Sequence, residues 1–436
     1  MALALPFTRK STEADISLID TIFIATSATC VTGLTTIDIA STFNPFGQFI
    51  LLILIQTGGL GIMSMGAIFL VIAGHRLSLH QQRLIIGSWG KTGTLTVKNI
   101  LIYIFTFVLG AELIAALLLF LQLKILYPDL HTITLLWQSF FHAVSAFCNA
   151  GITIFSSPNG ELPWTHHELF SLTMSSTVIL GSLGILTLVN LTQLRPWKRN
   201  RLERGTLTLQ SKIALTMTLL LLIGGSLFYA AFEWHNTLSQ ANSWHEKFVW
   251  SFFQSAMSRT AGFTTVDVDQ LHPVTLFATI ILMFIGGAPG SMAGGIKTIT
   301  FAILLASAWA ALRRQQNTHL FHRRISRDLT NTALMITLLA LTFIALVIMT
   351  LMVTEIHSPS SHSPHQWLAI VFEAVSAFAT VGLSTGITPH LSPLGKITII
   401  LTMFIGRVGP LMLAIYLTKP LLPWHKRYPK ENLSMG

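Results

Sequence analysis

The chain has 436 residues, of which 52% are hydrophobic and only 10% charged, with 27 Lys and Arg against 17 Asp and Glu. An ordinary soluble domain is about 25% charged, so this composition excludes a water-soluble globular protein and places the chain in lipid. The net charge of +10 sits in short clusters between apolar runs, which is the positive-inside pattern of cytoplasmic loops and not a nucleic-acid-binding face.

A membrane-spanning helix needs roughly 20 apolar residues. Seven runs predict one each: 46–73, 100–123, 169–191, 213–232, 274–312, 334–354 and 397–417. Basic residues follow the first, third, fifth and seventh. They are Arg76, Arg83, Lys91 and Lys98; Arg195, Lys198, Arg199, Arg201, Arg204 and Lys212; Arg313, Arg314, Arg323, Arg324 and Arg327; and Lys419, Lys426, Arg427 and Lys430. All four basic loops therefore face the cytoplasm. The stretch between two of them must then cross the membrane an even number of times, as two full helices around a shorter re-entrant segment would. The opposite loops carry Asp38, Asp129, Glu161, Asp267, Asp269 and Glu355, which would draw cations to an outer entrance.

The re-entrant segments show themselves by self-similarity at long period. Aligning Gly33, Gly151, Gly262 and Gly382 brings Phe23, Phe141, Phe252 and Phe372 into register ten residues earlier. Ser27, Ser145, Ala256 and Ser376 stand six residues earlier, and Thr35, Thr153, Thr264 and Ser384 two later. About ten helix-compatible residues ending in glycine are too short to span. Non-helical backbone at membrane depth is tolerated only where it is buried in protein or lines a water-filled path. Each segment therefore reads as a pore helix and loop, and four of them around one axis would replace an ion's hydration shell with carbonyl oxygens. The expected fold is an all-α polytopic membrane protein of four helix, pore-loop, helix repeats around a pseudo-fourfold pore. The repeats run over 1–75, 76–192, 193–312 and 313–436.

The fifth run is nearly twice the length of a simple span, and its centre, GGAPGSMAGG at 286–295, holds five glycines and a proline. A continuous helix would not choose these residues, so a mid-membrane break is expected, either as a gate beneath the pore loops or as a static kink. Lys297 closes this segment. Arg407, within FIGRVGP of the last run, either contacts the loop carbonyls, forms an electrostatic barrier, or pairs with a carboxylate. His142, Arg259 and Glu373 are expected to make structural hydrogen bonds on the pore segments, and Glu112 to pair with a neighbouring helix or subunit. Cys30 and Cys148 read as small buried side chains behind the loops. No metal-ligand spacing, HExxH helix or Ser and Lys pair is present, so an enzyme is not expected. A coupled carrier with inverted repeats is disfavoured because the four units share one orientation.

The segments SATCVTGLTT at 27–36, AFCNAGIT at 146–153, SRTAGFTT at 258–265, AFATVGLSTG at 377–386 and GGAPGSMAGGIKT at 286–298 resemble the Trk, Ktr and HKT superfamily of potassium transporters. The likeness is to its KtrB-type membrane subunits and covers the chain from about Pro6 to its end. The resemblance implies a potassium filter of Val31, Thr32 and Gly33; Asn149, Ala150 and Gly151; Thr260, Ala261 and Gly262; and Thr380, Val381 and Gly382. Glycine at all four key positions goes with potassium selectivity in that superfamily, and serine at the first with sodium permeation. A sodium-permeable or nonselective cation channel of the same superfamily is the alternative. The resemblance also implies a gate at Gly286, Gly287, Pro289, Gly290, Gly294, Gly295, Lys297 and Arg407, with Ala288 and Met292 less polar than that family's loop. It further implies a homodimer in the inner (cytoplasmic) membrane, a cytoplasmic C-terminus, and a ring of nucleotide-binding cytoplasmic subunits as partner. Sodium dependence is left open, and potassium is the transported ion with no bound cofactor. The arginine-rich loops at 195–212 and 313–327 fit either that partner or anionic membrane lipid. Before the first pore segment only MALALPF precedes the polar TRKSTEAD. Seven residues cannot span, so the first outer helix of repeat one is expected upstream, in frame, as about 20 apolar residues.

Overall fold

Backbone groups have no water to bond in a bilayer, so the chain satisfies them within helices. A computed structural model describes residues 3, 6–10, 16–61, 97–155, 162–194, 206–356 and 366–417. Arg76, Arg83, Lys91, Glu161, the arginines and lysine of 195–204, the histidine-rich 357–365, the basic tail after 417 and any upstream helix lie outside those residues.

Helices in chain order are α1 (Leu18–Cys30), α2 (Pro45–Leu60), α3 (Val97–Leu126), α4 (Thr132–Phe147), α5 (Glu168–Ser182), α6 (Ile185–Gln193) and α7 (Leu209–Glu233). They continue with α8 (Trp244–Met257), α9 (Pro273–Phe284), α10 (Thr298–Leu312), α11 (Arg327–Thr354), α12 (Gln366–Ala379) and α13 (Pro393–Leu417). The starts are written locally. Asn44 caps α2 by accepting from the Phe46 and Gly47 N–H groups ahead of Pro45. At α8, Ser243 Oγ accepts from Glu246 N–H while the Glu246 carboxylate accepts at 2.7 Å from the N–H of Asn242, one residue before the cap, a variant of the capping box.

Among the described residues three helices, α3, α7 and α11, are long and apolar enough to cross a bilayer unbroken, counting α3 from Ile104. They expose large apolar side chains such as Leu117, Leu121, Leu219, Ile223, Leu338 and Met349, a surface that only lipid or another chain can cover. Two predicted spans are interrupted. The run at 274–312 divides into α9 and α10 around residues 285–297, as expected. The run at 169–191, expected as one helix, bends by 99° between α5 and α6. Of the run at 46–73, residues 45–60 form α2 and 62–73 lie outside the described residues.

Packing closes the molecule on itself. The helix that follows each glycine loop packs against the short helix of the next unit: α2 on α4, α5 on α8, α9 on α12, and α13 back on α1. The last seam carries the ion pair Lys396 to Asp20, at 2.7 Å with both side chains about 15% exposed. Unit one is also tied down at its start, where Asn44 Nδ2 donates to the Phe7 carbonyl at 2.7 Å and Phe7 packs on Phe46. Of the acidic residues expected at an outer entrance, Asp38, Asp129, Asp267 and Asp269 are exposed. Glu355 is not. It is 3% exposed, and its carboxylate is taken up by the backbone N–H and hydroxyl of Ser392.

Candidate ion-conduction site

The four short helices α1, α4, α8 and α12 each end at a glycine loop, so four helix C-termini, the negative ends of their dipoles, meet the loops. Each loop has the same unusual backbone. The residue two before the glycine has positive φ (Val31 57°, Asn149 62°, Thr260 146°, Thr380 50°), and so does the glycine (Gly33 94°, Gly151 65°, Gly262 69°, Gly382 90°). Positive φ in β-branched Val and Thr is strained, and such strain persists only where the surroundings enforce it.

The reason for glycine follows from what stands beside it. A Cβ on Gly33 would lie 2.5 Å from the Ala150 carbonyl oxygen, and one on Gly262 2.5 Å from that of Val381. Likewise Gly151 abuts the Ala261 carbonyl and Gly382 the Thr32 carbonyl. Loop one therefore touches loop two, two touches three, three touches four, and four returns to one. The contact is always made to the carbonyl just before the next glycine. The flanking side chains are buried (Val31 1%, Thr32 0%, Ala150 0%, Ala261 0%, Val381 0%), while all four glycines remain partly open. Of the twelve residues expected at this place, the four glycines are partly open and the other eight are buried.

Positions read from the sequence only as small turn out to hold these loops. Ser27 Oγ accepts from Gly33 N–H at 3.0 Å, and Ser376 Oγ from Gly382 N–H at 3.1 Å. Ser145 Oγ accepts from Ile152 N–H and donates to the Ile152 carbonyl. Where unit three has Ala256, Gly262 N–H bonds to the Met257 carbonyl instead. The hydroxyl two after the glycine is tethered in three units: Thr153 to His142 Nε2 at 3.0 Å, Thr264 to Gln254, and Ser384 to Glu373. His142 and Glu373 therefore make the structural bonds expected of them. Arg259 does so incompletely: it is 2% exposed, and its Nε and Nη2 find no hydrogen-bond partner in this structure. Trp164, which sequence reasoning passed over, donates to the Thr264 carbonyl at 2.9 Å and packs edge-on against Phe263. Ser27→Ala should destabilise the protein by about 1 kcal/mol, the net worth of one hydrogen bond. An unchanged melting temperature would show that the hydroxyl does not hold the loop.

Residues 285–297 reach loop four at Gly294, where a Cβ would meet the Ala379 carbonyl at 2.6 Å. The segment is anchored on three sides. Within its own unit, Gly286 N–H bonds to Ile296 O, Thr298 N–H to Gly287 O, and Lys297 Nζ to Ala293 O at 2.6 Å. Toward unit two, Ala288 N–H bonds to Ser182 O, Met292 N–H to Gly181 O, and Ile185 N–H to Gly290 O, at 2.9, 3.2 and 3.1 Å. These bonds are made at the α5/α6 bend and account for it, because a continuous helix would have kept the Gly181 and Ser182 carbonyls for itself. Toward units one and four, the Arg407 guanidinium donates to Met292 O, and to Gly58 O at 2.6 Å at the C-terminal end of α2. Arg407 thus contacts loop carbonyls, and its hydrogen bonds tie residues 285–297 to α2.

Gly184 forms the corner of the bend. Its φ is +79°, and a Cβ there would lie 2.6 Å from the Pro289 carbonyl. Gly184→Ala should loosen this attachment, costing about 1–2 kcal/mol for an L-residue in that conformation. A melting temperature and ion flux both equal to those of the parent protein would count against it. Glu112, 1% exposed, meets a neighbouring helix: Gln56 Nε2 donates to its carboxylate at 3.2 Å, and Cys148 Sγ lies 3.8 Å away. Cys30 and Cys148 are free and buried. Among the described residues no cluster of His, Cys, Asp and Glu could hold a metal ion.

Four glycine loops thus close into a ring within an apolar helical body, and sequence comparison decides the family. The model of the TrkH cation transport proteins matches residues 3–423. The chain belongs to the TrkH family. It is 35% identical to the Ktr system potassium uptake protein B of Vibrio alginolyticus over 97% of this chain and 89% of that protein. It is 34% identical to the potassium/sodium uptake protein NtpJ of Enterococcus hirae over 100% of this chain and 93% of that protein. The crystal structure of the potassium transporter TrkH from Vibrio parahaemolyticus matches 93% of this chain and 79% of its own, with TM-score 0.67 and 15% identity, a likeness of fold. As a TrkH-family member the chain is an integral membrane transport protein, and its family is not one of enzymes.

Proposed function

We propose that this chain takes up potassium ions across the cytoplasmic membrane through the ring of glycine loops. The observation that carries this reading is the cyclic contact of each glycine with the carbonyl before the next one. It leaves backbone oxygens as the groups an ion meets in place of water, with four helix C-termini behind them favouring positive charge. Val31 to Gly33, Asn149 to Gly151, Thr260 to Gly262 and Thr380 to Gly382 are the selectivity filter, and potassium is the cargo. The four units run over 1–75, 76–192, 193–312 and 313–436. Residues 286–297 with Arg407 form the gate, a reading supported by the contact of Gly294 with loop four and by hydrogen bonds that a conformational change can break.

In this reading the chain works as a homodimer in the inner membrane with its C-terminus in the cytoplasm, on nucleotide-binding cytoplasmic subunits. The Vibrio alginolyticus relative, named as part of a Ktr system, supports the multi-subunit reading. A sodium-permeable pathway is the second reading, favoured by the likeness to a protein named for both ions. Reversal potentials in proteoliposomes under opposed potassium and sodium gradients separate the two. A potential close to that of potassium is expected, and one that follows both ions equally would sink the selective reading.

A further inference from the structure

Away from the glycine loops, a groove of about 460 Å³ opens between α7, α10 and the hairpin that follows α10. Its walls are apolar: Met217, Ala302, Leu305, Ala306, Trp309 and Leu320. Its far end is polar, with Gln315 and His319. That end is surrounded by positive charge. Arg313 and Arg314 follow α10, and the Arg313 guanidinium lies 4.8 Å from the centre of the Trp309 ring. The hairpin β1 (His319–Leu320) and β2 (Arg323–Arg324) pairs His319 with Arg324 and Leu320 with Arg323. Its two-residue turn has φ of 47° and 61° at Phe321 and His322, the positive values of a type I′ turn. Paired residues in an antiparallel ladder share a face, so each hairpin arginine stands beside a residue that lines the groove. All four arginines are exposed. Among the described residues none of them is ion-paired with a carboxylate; Lys396 with Asp20 is the pair found there.

An apolar slot beside a lipid-facing helix, with a tryptophan and four unpaired arginines at its cytoplasmic end, is complementary to one class of molecule. We propose that it binds an anionic glycerophospholipid, one acyl chain lying along α7 and α10 and the phosphate held by Arg323 and Arg324 with Arg313. Arginine matches phosphate with paired donors, and tryptophan favours the headgroup boundary. The lipid braces α10, the helix into which residues 285–297 run and whose first N–H, on Thr298, bonds to Gly287 O. Lipid binding here is independent of which ion the chain carries.

Native mass spectrometry of the full-length purified protein, titrated separately with dioleoylphosphatidylglycerol and dioleoylphosphatidylcholine, tests the proposal. The protein should retain one phosphatidylglycerol in clear preference to phosphatidylcholine. Arg323→Gln and Arg324→Gln should weaken retention by about fivefold each. Ala306→Trp, which fills the slot and keeps every charge, should displace the lipid as well. As a check that needs no filled slot, phosphatidylglycerol brominated on its acyl chain should quench a fluorescence component that Trp309→Phe removes. Equal retention of the two lipids, phosphatidylglycerol retention unaffected by the arginine changes or by a folded Ala306→Trp protein, or the absence of a Trp309 quenching component would each overturn the proposal. So would arginine variants that lose only a cytoplasmic protein partner and keep the lipid, because the arginines would then be a protein-docking surface.

Discussion

Replacing Gly33 with serine is expected to reduce the preference for potassium over sodium by about tenfold or more. Two physical effects act together. At φ +94° an L-residue is strained by at least about 1–2 kcal/mol, and the new Cβ would lie 2.5 Å from the Ala150 carbonyl oxygen, which must move. In a ring closed by such contacts, a displaced Ala150 carbonyl alters the site for the ion, and the added hydroxyl offers a ligand of different geometry. Gly386→Ala is the matched control. Its φ of +88° imposes similar backbone strain, but no atom lies within 4 Å of the place a Cβ would occupy. Uptake assays with each ion, normalised to the amount of membrane-inserted protein, should show lost selectivity for Gly33→Ser and little change for Gly386→Ala. Equal selectivity in the two variants would remove Gly33 from the ion path.

Deleting residues Ala288 to Gly294 is expected to raise flux by at least about an order of magnitude. The deletion removes the backbone bonds to Gly181, Ser182 and Ile185, the Arg407 bond to Met292 and the Lys297 bond to Ala293, together with the Gly294 contact with loop four. Arg407→Gln should act in the same direction and less strongly, since a hydrogen bond from a charged group is worth about 1.5–3 kcal/mol. Fluorescence-monitored potassium flux into proteoliposomes measures both. A folded, membrane-inserted deletion protein that carries no ion would show instead that residues 288–294 are structural support for the glycine loops and not an obstruction.

The glycine loops were legible in the sequence because their requirement is local. Each must place a positive-φ residue at the same distance from a short helix, and only glycine does so beside a neighbouring carbonyl, so selection leaves the same letter four times in register. The break at 286–295 was legible for a similar reason: five glycines and a proline cannot propagate a helix. The bend at Gly184 was not. Within TVILGSLGILTLVN two glycines in an apolar run are compatible with an unbroken spanning helix. Its break exists because the backbone of residues 288–292 competes for the Gly181 and Ser182 carbonyls. Glu355 illustrates the opposite error, an acidic residue read as part of a charged entrance that is spent on capping Ser392.

The sequence by itself determined the membrane class, the four glycine positions and the place where one helix must break. All of these follow from composition, hydrophobic length and the φ values a residue type tolerates, which act over a few residues or one bilayer thickness. Only the tertiary structure decided the order in which the loops touch, the carbonyl that each glycine faces, the serines that hold the loops, and the attachment of residues 286–297 to the α5/α6 bend and, through Arg407, to the end of α2. Apart from the serine bonds, which span six or seven residues, those contacts join segments about a hundred or more residues apart, mostly through backbone N–H and C=O groups. Every residue but proline carries the same two groups, so no side-chain pattern in the sequence could have marked which of them would meet.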